Sequence, residues 1–159
     1  MADLTLRFTR IAPDRHRFEY VRPDGSGEVV EMETHSMLTH DLVHFAVESE
    51  AGLQGSFYGL LAKFGDYQAL AANVGGLGGE AMMTEMIVGP LQGALKGDLD
   101  ADSFVEQVNE YREDMGVDRI PWLSADFVRA AERRFRALEG QWKATPFGQA
   151  MELKFPLRG

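Results

Sequence analysis

The sequence predicts an α+β fold, a small antiparallel sheet packed on about five helices. Three observations lead there. Both ends of the chain alternate apolar and polar residues with the period of two that marks a half-buried strand. Between them, apolar residues recur at spacings of three and four, as on helices. Turn-forming residues fall between these stretches. Strands at both ends belong in one sheet, which makes 1–159 a single domain.

Leu4, Leu6 and Phe8 alternate with Thr5, Arg7 and Thr9, giving a first strand. Ala12-Pro13-Asp14-Arg15 turns the chain. Arg17 to Arg22 is a second strand, with Phe18 and Tyr20 on one side, and Pro23-Asp24-Gly25-Ser26-Gly27 is the next turn. Glu28 to Thr34 completes a three-stranded meander with Val30 and Met32 on one face. His16 falls at the first tip and is expected in solvent. Near the other end, Gln149, Met151, Leu153 and Phe155 face one way and form a last strand beside the meander.

The first helix spans residues 34 to 50, with Ser36 as its cap and Gly52 as its left-handed stop. Phe57, Tyr58, Leu60, Leu61 and Phe64 pack a short helix ended by Gly65, and Asp66 caps another through Val74. Gly75-Gly76-Leu77-Gly78-Gly79 then breaks the chain, and a mobile loop covering a pocket is expected there. Gly76-x-Gly78-x-x-Ala81 matches a dinucleotide fingerprint in form only, because a helical composition precedes it where a buried strand is needed. Glu80 to Lys96 reads as a helix broken at Gly89-Pro90. Its Met82, Met83 and Met86 suit core filling, or an adaptable groove. Ser103-x-x-Glu106 has the form of a capping box for a helix with a core stripe of Phe104, Val108, Tyr111 and Met115, ended by Gly116. Pro121 and Ser124 open the last helix, whose core stripe is Phe127, Ala131, Phe135, Leu138 and Trp142. Its Arg129, Arg133, Arg136 and Lys143 form a solvated basic face. Gly140 and Pro146 bracket its exit.

Chemistry concentrates on the first helix. At about 100° per residue, His40, Asp41, His44 and Glu48 share one sector of roughly 100°. His40 and His44, one turn apart, have the spacing that lets two imidazoles hold one zinc or similar divalent ion, as in the His-Glu-x-x-His helix of zinc peptidases. Here Asp41 stands where the peptidases have Glu, so their general-base role does not carry over. Glu48 lies about 12 Å along the helix from His40, too far to share its ion easily, and is better placed to orient a ligand. Asp41 and Glu48 are the candidate catalytic groups. A third ligand must come from elsewhere, with His35 and Glu85 the leading candidates and His16 and Glu80 behind them. The same polar sector also suits the wet side of an ordinary surface helix.

The run His40-Asp41-Leu42-Val43-His44-Phe45-Ala46-Val47-Glu48, followed by Gly52-Leu53 and Phe57-Tyr58-Gly59-Leu60, resembles a group of short bacterial proteins described as uncharacterised. The likeness covers about residues 30 to 65. It implies no activity and assigns no role. The adjacent His40-Asp41 pair is also similar to that of the His-Asp phosphohydrolases. Those need an earlier histidine and a later aspartate on separate helices, and neither stands out here.

With 16 Lys and Arg against 25 Asp and Glu, the formal charge is −9. That disfavours nonspecific grip on nucleic acid or anionic lipid. No cysteine is present, which excludes disulfides and thiol chemistry and fits the cytoplasm. No apolar run approaches a membrane span. Three functions fit these constraints. One is a divalent-metal protein using His40 and His44, extending to a metal-dependent hydrolase. Another is a non-enzymatic homo-oligomeric module with a methionine and aromatic surface. The third is a metal-free small-ligand binder around Phe57, Tyr58 and the methionines.

Overall fold

The computed structural model describes residues 2–63, 65–73 and 79–158. Four strands form one antiparallel sheet: β1 (Asp3–Ala12), β2 (Arg15–Val21), β3 (Gly27–Glu33) and β4 (Ala150–Pro156), in the order β3-β2-β1-β4. Both chain ends therefore meet in one sheet, with Leu6 opposite both Tyr20 and Leu153. The predicted alternation holds. Leu4, Leu6, Phe8, Phe18, Tyr20, Met151, Leu153 and Phe155 are all buried on one face. On the other, Arg7 sits across from Glu19 and Glu152 and pairs with both, as opposite charges on neighbouring strands do. Gln149 lies outside β4 and is exposed, contrary to the expectation that it shared the inner face.

Six helices are described: α1 (Thr34–Ala51), α2 (Phe57–Lys63), α3 (Tyr67–Asn73), α4 (Gly79–Ala94), α5 (Ala101–Asp114) and α6 (Ala125–Lys143). α1 lies at the centre, against α4 and α6, with Phe45 reaching the sheet at Phe155. Its cap is Glu33 rather than Ser36: the Glu33 carboxylate accepts from the backbone N–H of His35 and, at 3.1 Å, of Ser36. A longer acidic side chain at the end of β3 thus does what the serine hydroxyl was expected to do. Gly52 ends α1 at φ 68°, and Leu53 N–H returns to the Glu48 carbonyl at 2.9 Å, the closure a left-handed glycine permits. Gly59 is required for a different reason. A Cβ there would lie 2.0 Å from the Gln54 carbonyl oxygen, so the loop from α1 can fold directly onto α2.

Several local expectations give way to tertiary context. Asp100, not Ser103, caps α5 by accepting from Ser103 N–H, and no capping box forms. α4 continues through Gly89-Pro90 instead of breaking. Both residues are exposed, so the proline ring lies on the solvent side, where the bend it imposes meets little obstruction. Tyr111 and Met115 are exposed, so the α5 core stripe is only Phe104 and Val108. Met82 is exposed, while Met83 packs against the core. The helix α6 runs past Gly140 to Lys143. Ser124 caps it as expected, accepting from Phe127 N–H. Its basic residues are exposed, and Arg129, Arg136 and Lys143 pair with acids such as Asp126 and Glu139. Phe64, Val74 and Gly75 to Gly78, with the loop expected there, lie outside the described residues.

Candidate metal centre

The polar sector of α1 is not its wet side. Asp41, His44 and Glu48 are buried, with Glu48 wholly excluded from solvent. This overturns the surface-helix reading, and the reason is packing. The helices α2 and α4 close over that face as α6 and the sheet close over the others.

A buried carboxylate must be hydrogen-bonded or neutral, and Glu48 has partners on both oxygens. Oε2 lies 2.8 Å from His44 Nδ1, and Oε1 accepts from Tyr58 N–H at 2.9 Å. The second bond comes from the first turn of α2, which the close approach at Gly59 brings into reach. Burial raises the Glu48 pKa, against the lowering effect of His44 and the Tyr58 amide.

His44 Nε2 faces Glu85 of α4, with Oε1 at 2.9 Å. The separation is that of an ion pair, yet the geometry is not that of a hydrogen bond, and this buried oxygen has no hydrogen-bond partner among the described residues. Burial opposes charge on the His44 ring, but Glu48 and Glu85 together outweigh it and lift the pKa to about 10. Glu85 is correspondingly lowered: burial pushes it up and His44 pulls it further down.

His40, one turn before His44, sets its ring at 4.7 Å and 76° to that of His44. Its Nδ1 lies 3.0 Å from Gln92 Oε1 on α4. Each ring therefore engages Nδ1 with an oxygen, and His44 turns Nε2 toward Glu85. One nitrogen of each ring and a Glu85 oxygen lie within 4.8 Å of one another, so the cluster is able to coordinate a metal ion. Two ligand atoms about 2.0–2.1 Å from a tetrahedral zinc stand roughly 3.3 Å apart, a spacing inside that limit. The Glu85 oxygen, without a hydrogen-bond partner among the described residues, is available as a ligand.

A cavity of about 310 Å³ opens beside the cluster. His40, Asp41, His44 and Glu85 form its polar side, and Met37, Phe57, Tyr67 and Ala71 its apolar side. Asp41 Oδ2 accepts from the Tyr67 hydroxyl at 2.7 Å, while the Tyr58 hydroxyl donates to the Asp41 carbonyl at 2.8 Å. Burial raises the Asp41 pKa to about 7, with Tyr67 and His44 limiting the rise. Burial and the Asp41 charge raise that of Tyr67.

Of the candidate third ligands, Glu85 joins the histidines. His35 is exposed and lines a separate depression beside Trp142 and Lys143. Glu80 lies at the start of α4, against Gly55. His16 is not exposed at a strand tip; it is fully buried, with Phe8 and Trp142 beside it. The pocket expected around Tyr58 and the α4 methionines instead uses Tyr67 and Met37, with Tyr58 sealed beneath the cluster. Gln92 and Tyr67 went unnoticed in the sequence. Gln92 sits seven residues after Glu85, on the same side of α4, and that spacing was the available signal. Nothing local marked Tyr67.

Fold and site together define an α+β protein with a His40/His44/Glu85 cluster able to coordinate a metal ion, its two histidines set in a helix of sequence His40-Asp41-Leu42-x-His44-Phe45-x-Val47-Glu48. Comparison with known proteins yields no match to a family model, a curated protein or a solved structure. Among the described residues, no helix is long and apolar enough to cross a membrane.

Proposed function

We propose that this protein binds one divalent cation, zinc being the best match to two imidazoles and a carboxylate, and uses it as a hydrolytic centre. The supporting observation is the convergence of His40, His44 and Glu85 ligand atoms within 4.8 Å, the Glu85 oxygen there buried and without a hydrogen bond among the described residues. His40, His44 and Glu85 are the ligands. Glu48 orients His44 through Nδ1 and Gln92 orients His40, the outer contacts that metal-bound histidines commonly have. Three protein ligands are the number found in catalytic rather than structural zinc sites, and a bound zinc would supply a Lewis acid and an acidified water beside the cavity. Asp41 stands on the cavity wall with a pKa near neutrality, suited to holding a proton or a substrate group.

Elemental analysis of untagged protein tests the metal. The wild type is expected to carry about one zinc per chain, and His44→Ala and Glu85→Gln to lose it. Glu48→Gln should weaken binding by about 10–100-fold. Equal metal content in the wild type and His44→Ala would overturn the assignment.

A second reading draws on the same ring. His44 lies within ion-pair distance of both Glu48 and Glu85, a charge arrangement complete without an ion. It favours a metal-free module that binds a small ligand in the cavity. Protein purified without metal, with a melting temperature indifferent to both zinc and chelator, would support it.

A further inference from the structure

Asp41 differs from the other two carboxylates of the site. Glu48 and Glu85 both flank His44. Asp41 is as buried as His44 but, among the described residues, forms no ion pair; its side chain accepts from the neutral Tyr67 hydroxyl. No lysine or arginine is among the described residues lining the cavity. Buried charges in proteins are normally paired, and Asp41 lines the cavity without a direct ion pair among the described residues, the His44 ring acting on it from further off.

Aromatic rings beside Asp41 supply the second half of a recognition site. Phe57 and Tyr67 both line the cavity, their rings crossed at 87° with centroids 5.5 Å apart. Met37 and Ala71 extend this apolar wall. Crossed aromatic rings beside a carboxylate are the means by which proteins hold alkylammonium groups, through ring quadrupole and Coulomb attraction together. At about 310 Å³, the space lies at the lower end of small-molecule sites.

We propose that the cavity binds a small organic cation, an alkylammonium whose charged nitrogen pairs with the Asp41 carboxylate while its hydrocarbon body packs on Phe57, Tyr67 and Met37. An anion of the same size is repelled by Asp41. The site lies beside the three metal ligands and does not use them, so it stands whether or not zinc binds. If the protein is a hydrolase, its substrate carries an amine.

Three probes of matched size and different charge test this without any mutation: n-butylammonium, 1-butanol and n-butyrate. They are titrated calorimetrically into chelator-stripped and zinc-loaded protein. Butylammonium is expected to bind about ten-fold or more tighter than butanol, in both forms of the protein, with no binding of butyrate. Asp41→Asn keeps the shape and can still accept from Tyr67; it should bring butylammonium close to butanol. The proposal is overturned if butanol or butyrate binds as tightly as butylammonium, if no probe binds, or if Asp41→Asn leaves the affinity unchanged. Loss of zinc binding has no bearing on these outcomes, so failure of the metal assignment and failure of the cation site are told apart.

Discussion

His16 and His44 are both buried, at 0 % and 2 % exposure, and both lie beside aromatic rings. At His16 the neighbours are Phe8, Trp142 and one hydroxyl, Thr34 Oγ1, 3.1 Å from Nδ1. Its Nε2 has no partner among the described residues. Burial drives its pKa down to about 4, with Glu33 resisting slightly. At His44 the burial penalty is still present, but two carboxylates reverse its effect and the pKa rises to about 10. The contrast shows that depth does not decide the charge of a buried imidazole; the groups sealed in with it do. A core residue and a ligand candidate are thereby separated by their partners, at equal burial.

The comparison is broken most severely by removing what charges His44. Glu48→Ala strips the partner from His44 Nδ1 and from Tyr58 N–H, both buried. Loss of one member of a buried pair costs about 3–5 kcal/mol, and urea unfolding of the metal-free protein should show a loss of that size. Glu48→Gln keeps an acceptor and should lose less. A Glu48→Ala variant within about 1 kcal/mol of wild type, the size of one ordinary hydrogen bond, would mean that the carboxylate does not hold the ring.

His16 gives the next largest effect, as a pH dependence. Its folded pKa of about 4 lies below the value of 6.5 for an unperturbed ring. As pH falls, the unfolded chain therefore takes up the proton first, so His16 favours folding fully above about pH 6.5 and progressively less down to about pH 4. Over that window the loss attributable to His16 is about 2–4 kcal/mol. Since other acids titrate there too, the measurement is the difference between wild type and His16→Phe. The variant should show a shallower decline toward acid, and parallel curves would show that His16 takes its proton in the folded state.

How much of this was legible beforehand follows from the range of the forces involved. The β1 alternation of Leu4, Leu6 and Phe8 is a local signal, and it placed the strand and its inner face correctly, whereas the choice of β1 as the partner of β4 is set by the assembled sheet. The His40-His44 pair was equally legible because one helical turn fixes the spacing. Where His16 would end up was not. Its place near a turn suggested solvent, but Trp142, 126 residues away in sequence, covers it. Glu85 could be named as a candidate, but only the packing of α4 on α1 selects it over His35. Asp41 illustrates the same limit. Its place on the helix was evident, whereas its burial against Tyr67 depends on α3.

Thr34→Val sharpens the comparison with the smallest of these effects. Valine keeps the shape of threonine and leaves the backbone bond from Thr34 N–H to the Asp14 carbonyl, 2.8 Å, in place. What it removes is the one polar partner of the His16 ring. Whichever nitrogen holds the proton, the ring then has two bare nitrogens in an apolar setting. A buried polar atom left unsatisfied costs about 1–3 kcal/mol, and the partial exposure of Thr34 places the expected loss near the lower end. Thr34→Ser restores the hydroxyl and should recover most of it. The His16 pKa should fall further in Thr34→Val, because the charged ring loses an acceptor while the burial that disfavours it is unchanged. Nuclear magnetic resonance titration of the ring reads that shift directly. If Thr34→Val is as stable as wild type and its ring titrates at the same pH, the hydroxyl contributes nothing, and aromatic packing alone keeps His16 neutral.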